Sequence, residues 1–227
     1  MNMFANRQEA GKLLAEKLIE EKLENPLILA IPRGGVVIGA EIARELNVDL
    51  DVFIAKKIGA PGNPELAIGA VGPDNVVIIN HVLAHQVGAD GGYLETEIKN
   101  LGLEVEERIK KFRQKKPKLT VENKTVVLVD DGIATGATVE VAIEWLRQKR
   151  AKTIVLAVPV APPETIEKLT PLVGKIICLH QPSFFAAVGQ FYEEFPQISD
   201  EEVLNMLDDG TENKGQKVKI KKSPVIK

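Results

Sequence analysis

An α/β fold, with a parallel sheet flanked by helices, is what this 227-residue sequence predicts. Two observations carry the expectation. Short apolar runs rich in Val, Ile and Leu alternate with stretches of helical periodicity, and repeated βα units of that kind build parallel sheets through right-handed crossovers. Two of these runs also end in glycine-containing turns that lead into a helix pattern, Ile31-Pro32-Arg33-Gly34-Gly35 and Asp130 to Thr138. Such turns lie at the carboxyl edge of a sheet, where open α/β proteins bind ligands.

Each element has its own pattern. Residues 7–24 place Ala10, Leu13, Leu14, Leu18 and Ile19 at helical spacing and predict an amphipathic helix. Residues 27–31 read as a short buried strand, 36–46 as a helix and 51–55 as a second strand. Residues 56–64 are rich in Gly and Pro and predict a loop. The β-prone runs 66–71 and 76–80 flank Gly72-Pro73-Asp74 and predict a hairpin. Residues 92–114 predict a long charged helix whose Glu104, Glu106 and Glu107 form a solvated face with basic neighbours. Strands are predicted at 125–129, 153–158 and 175–179, with helices after the first and at 163–169. The core is thus expected over residues 1–178, with a flexible loop and hairpin at 57–80 and a helical insertion at 81–116. Residues 179–207 read as a small separate element, and 208–227 as a polar, lysine-rich mobile tail.

Composition narrows the function classes. A net charge of −3 with 27% charged residues does not suggest a polyanion binder, and 4% aromatics weakens any case for stacking on single strands. The single Cys178 excludes an intramolecular disulfide framework and fits a reducing, cytoplasmic setting. No apolar run approaches the roughly 20 residues that span a bilayer. Neither a GxxxxGK[ST] loop nor a GxGxxG turn is present.

The densest chemistry lies in Thr125–Thr138, which reads TVVLVDDGIATGAT. An apolar strand delivers two adjacent carboxylates, Asp130 and Asp131, to the edge of the sheet. Thr135, Gly136, Ala137 and Thr138 follow, small enough for backbone N–H groups to approach a phosphate. Their hydroxyls add donors, and the following helix contributes its positive dipole end. Capping that helix would need one polar residue, not two acids and two threonines. Carboxylates in that place suit Mg²⁺ or a pair of sugar hydroxyls.

The segment VVLVDDGIATGAT resembles the phosphoribosyl-pyrophosphate (PRPP) motif of type I phosphoribosyltransferases. The pattern PRGG, then KKIGAPGNPELAIGA, then DDGIATGAT extends the resemblance to a poorly characterised bacterial branch, over roughly residues 4–207. The resemblance implies a Rossmann-like core with a small C-terminal hood, and transfer of ribose 5-phosphate from PRPP to a base or other small nucleophile, with Mg²⁺. It assigns catalysis to Asp130, Asp131, Arg33 and Lys57, with Asp130 and Asp131 meeting the metal directly or through water. PRPP binding falls to Arg33, Gly34, Gly35, Lys56, Lys57, Asp130, Asp131, Gly132, Ala134, Thr135, Gly136, Ala137 and Thr138. It further implies a cis or strained non-proline peptide in the PRGG loop, and a mobile loop closing over the site after Lys56 and Lys57.

The 6-oxopurine enzymes of the family carry a third carboxylate where this chain has Ala134, which argues against hypoxanthine or guanine as acceptor. Phe184, Phe185 and Tyr192, in an aromatic-rich stretch of the hood, are candidates to stack on a planar base, or else anchors for the C-terminal segment. His81 and His85, spaced i,i+4, lack an evident third ligand, and His180 stands at a strand end. The expected partners are PRPP and a small-molecule acceptor, with no membrane, nucleic acid disfavoured and a homodimer compatible with the sequence. The alternative is a regulator that binds PRPP or a nucleotide without transfer. The apparent Gly/Pro closing loop weighs against it.

Overall fold

In the computed structural model the described residues are 3–114 and 116–212, with side chains through Asp208. The chain runs α1 (Arg7–Glu20), β1 (Leu27–Ala30), α2 (Gly34–Leu46), β2 (Leu50–Val52), β3 (Lys56–Ala60), β4 (Asn63–Val71), β5 (Val77–Ile79), α3 (His81–Gln86), α4 (Gly91–Arg113), β6 (Thr125–Val129), α5 (Ala137–Gln148), β7 (Thr153–Val160), α6 (Pro163–Leu169), β8 (Lys175–His180) and α7 (Asp200–Glu212).

Five strands form an all-parallel sheet in the order β2-β1-β6-β7-β8. Their near-continuous apolar character follows from burial of both faces. Ile28, Ala30, Val127 and Val129 point into a core shared with Leu14 of α1, Ile38 of α2 and Val203 of α7. Their neighbours Leu27, Leu29, Val126 and Leu128 point the other way, against Val139, Ala142 and Leu146 of α5. The α/β class is therefore as the sequence predicts. The chain steps outward from β1 to β2 on one side and from β6 to β7 on the other. The loops after β1 and β6 consequently part at the carboxyl ends of adjacent strands and leave a crevice between them.

A smaller antiparallel sheet, β3-β4-β5, lies under α3 and α4 with its own apolar cluster around Ile58, Ile68 and Val71. Here one expectation is corrected. Residues 56–64 are not a loop: Lys56 pairs with Val71, Lys57 with Ala70 and Ile58 with Gly69. Glycine and proline content misleads because an irregular hairpin uses the same residues. The ladder shifts register on both sides of Gly59, and Gly62 turns the chain at φ 72°. The hairpin predicted around Gly72-Pro73-Asp74 is present as β4–β5. Helix α1 stops at Glu20, short of the expected residue 24, where Lys22 and Asn25 take left-handed φ values of 50° and 42°. The long helix α4 is tied to the main sheet by Arg113, which donates from Nε and Nη2 to the two carboxylate oxygens of Asp51 at 2.8 and 2.9 Å.

Residues 179–207, expected as a hood, reach the crevice and also sink into the main core through Phe191, Tyr192, Val203 and Leu207. Helix α7 continues to Glu212, so the first part of the expected tail is helical, and the remainder of that tail lies outside the described residues. Among the described residues, no helix is long and apolar enough to cross a membrane.

Candidate functional site

A cleft of about 460 Å³ opens at the crevice between β1 and β6. The loop after β1 forms one wall. Its Pro32–Arg33 peptide is cis, a feature that the resemblance implies. Gly34 and Gly35 start α2 directly against the loop after β6. A Cβ on Gly34 would stand 1.8 Å from Asp131 Oδ2, and one on Gly35 would stand 2.9 Å from Asp130 Cα. These glycines admit the acidic pair at close range, a reason that phosphate binding alone does not supply.

Asp130 and Asp131 leave the end of β6 side by side, and the Asp131 N–H donates to Asp130 Oδ1 at 2.8 Å. Their surroundings differ. Burial pushes the Asp130 carboxyl well above the usual range, and the neighbouring Asp131 charge adds to this. The Asp131 N–H and the Lys57 ammonium oppose it. Asp131 is pushed up by burial but is opposed by Arg7, whose Nε donates to Oδ2 at 2.8 Å. The Tyr192 hydroxyl donates to the Asp131 carbonyl oxygen at 2.6 Å, and burial pushes that phenol up strongly.

The turn that follows closes the cleft floor. Gly136 caps α5 in the left-handed conformation at φ 82°, which a β-branched residue would resist. The buried Thr165 of α6 donates from Oγ1 to the Ala134 carbonyl at 2.6 Å and pins the turn from behind. The first turn of α5 faces the cleft through Ala137 and Thr138, as an anion-binding helix start does.

Arg33, Gly34, Lys57, Asp130, Asp131, Gly132, Ala134, Thr135, Gly136, Ala137 and Thr138 all line this one cleft. Lys56 does not. It pairs with Glu104 at 2.6 Å and lines a separate groove, because side chains alternate along β3. Arg33 borders both openings and lies 3.6 Å from Asp200. Tyr192 is corrected as a base-stacking candidate: it is 4% exposed, with rings of Phe4 and Phe195 packed 5.4 and 5.0 Å away. Phe185 packs on Phe191 at 5.2 Å, Phe184 is exposed, and neither lines the cleft. Val188, Phe195, Gln197 and Ile198 form the C-terminal wall instead.

Sequence reasoning also missed Arg7 and Thr165. Arg7 leaves one faint signal, a basic residue in the first turn of a helix, where the macrodipole favours acids. His81 and His85 share α3 and are exposed. Among the described residues, no group of three or more His, Cys, Asp or Glu is placed to hold a metal. The two carboxylates fit Mg²⁺ only where substrate phosphates and water complete its shell, the usual arrangement for that ion.

Comparison with known proteins gives the family. Residues 4–195 match the phosphoribosyl transferase domain. The chain belongs to that family. It is 36% identical over 208 residues to a Mycobacterium tuberculosis protein named "Putative phosphoribosyl transferase", found alike in strains CDC 1551 / Oshkosh and ATCC 25618 / H37Rv. The match covers 92% of this chain but 47% of the relative, so the chain spans about half the length of the curated relatives it matches. Among solved structures it resembles TT1426 from Thermus thermophilus, at 42% identity and a TM-score of 0.77, over 91% of this chain and 98% of that one. A phosphoribosyl transferase domain thus accounts for most of the chain.

Proposed function

We propose that this chain transfers ribose 5-phosphate from PRPP to a base or other small nucleophile, releasing pyrophosphate. One observation carries the proposal: the acidic pair, the Thr135–Thr138 turn, the PRGG loop and Lys57 face a single cleft. In this account the turn and the α5 N-terminus hold the 5′-phosphate, while Asp130 and Asp131 hold the ribose hydroxyls. Arg33 and Lys57 neutralise the pyrophosphate as it leaves. Mg²⁺ bound with the donor would supply further charge neutralisation, with Asp130 and Asp131 as its protein partners, directly or through water. Two anchored ends orient C1 for attack, so positioning carries much of the rate. The carboxylates lie where the ring gains positive charge as its bond to pyrophosphate lengthens. Asp130→Asn and Asp131→Asn should each lower turnover of PRPP by about a hundredfold or more. Pyrophosphate release measured against a panel of purine and pyrimidine bases tests this.

A second possibility, a PRPP-binding regulator without transfer, draws on one observation. Residues expected to form a free closing loop are paired in the β3–β4 hairpin. Binding of PRPP without release for any acceptor would favour that alternative.

A further inference from the structure

We propose that Arg7 is the positioning residue of the acidic pair, fixing the orientation in which Asp131 meets the ribose of PRPP and tying that carboxylate to the C-terminal wall of the cleft. The proposal rests on the PRPP-binding role given to Asp131 above. Arg7 lies in the first turn of α1 and is 7% exposed. Its guanidinium is engaged at Nε, at Nη1 and across one face. Nε donates to Asp131 Oδ2 and Nη1 to the Pro196 carbonyl, both at 2.8 Å, and Cζ lies 3.6 Å over the Phe195 ring. Phe195 in turn packs on Tyr192, whose hydroxyl holds the Asp131 carbonyl. Asp131 is therefore held at its side chain and its main chain by one network joining α1 to residues 192–196.

The neighbouring backbone is built around the pair. A Cβ on Gly34 would lie 2.8 Å from Arg7 Nε as well as against Asp131 Oδ2, so the ion pair fills the space that any other residue would occupy. A planar fork that binds two acceptors while stacking on a ring is a task for arginine, not lysine. With Oδ2 engaged by Arg7, the carboxylate is held in one orientation toward the cleft. Phe195 and Ile198 also face the cleft. The ring on which Arg7 stacks is therefore part of the same cleft wall.

The test is calorimetric titration of the full chain with Mg–PRPP, alongside thermal unfolding, for wild type, R7K, R7Q, D131N and R7Q/D131N. R7K keeps the charge and should keep the unfolding midpoint within a few degrees, yet weaken Mg–PRPP binding about tenfold because the forked geometry is lost. R7Q added to D131N should weaken binding no further, since Arg7 acts through that carboxylate. If R7Q unfolds, R7K carries the test alone. R7K binding like wild type, or losses of R7Q and D131N that multiply in the double variant, would overturn the proposal. A wild-type chain that does not bind Mg–PRPP would overturn the transfer account itself, and this one with it.

Discussion

Burial and the adjacent Asp131 both oppose ionisation of Asp130. Between the unfolded carboxylate value, about 4, and the raised native value, the folded state binds more protons than the unfolded one. Stability of the ligand-free protein should therefore fall as pH rises through that window. Asp130→Asn should flatten this slope, as followed by urea unfolding from acid to neutral pH, and an unchanged slope would contradict the assignment. Thr165 acts at the same scale. Thr165→Val leaves the part-buried Ala134 carbonyl without its hydroxyl partner, at a cost of about 0.5–1.5 kcal/mol. The variant should also bind PRPP more weakly, since the turn loses its rear support. Urea unfolding and PRPP titration read the two effects separately.

At the scale of elements, the site depends on how closely α2 starts against the end of β6. Gly34→Ala would push a methyl group into Asp131 Oδ2. It should abolish PRPP binding, whereas Gly91→Ala, at the open start of α4, should change neither binding nor stability measurably. Titration and thermal unfolding of the two variants give the comparison. The same elements explain what was legible in the sequence. The strand β6 and its DDGIATGAT turn could be read because each residue has a local reason to be there. Arg7, Thr165 and Tyr192 could not, since their partners lie 124, 31 and 61 residues away and only the packed fold brings them together. Residues 56–64 failed for a different reason. Gly59, Gly62 and Pro64 serve a bulged hairpin as readily as a loop, and composition does not separate the two. The aromatic cluster near residue 190 was visible, but which rings face the core was not, because that depends on the packing of Phe4, Phe191 and Phe195.

Across the whole molecule, the parallel sheet carries the site while α4 and the small sheet are fastened to it from outside. Asp51 and Arg113 make one such connection, with side chains only 10% and 11% exposed. Arg113→Met would leave the Asp51 carboxylate, among the described residues, only the Val52 N–H, at 2.8 Å, and the nearby Lys116 charge, and should destabilise the chain by about 3 kcal/mol, measured by urea unfolding, with PRPP affinity retained in the folded fraction. Equal stability would show that the pair does not hold the two parts together. The central claim is that the crevice between β1 and β6 performs phosphoribosyl transfer. Its most direct test is pyrophosphate release from Mg–PRPP across a panel of purine and pyrimidine bases, with Asp130→Asn and Asp131→Asn as blanks. The account predicts release that depends on one class of base and disappears in both variants. Release that persists in the variants, or no binding of PRPP by the wild-type chain, would contradict it.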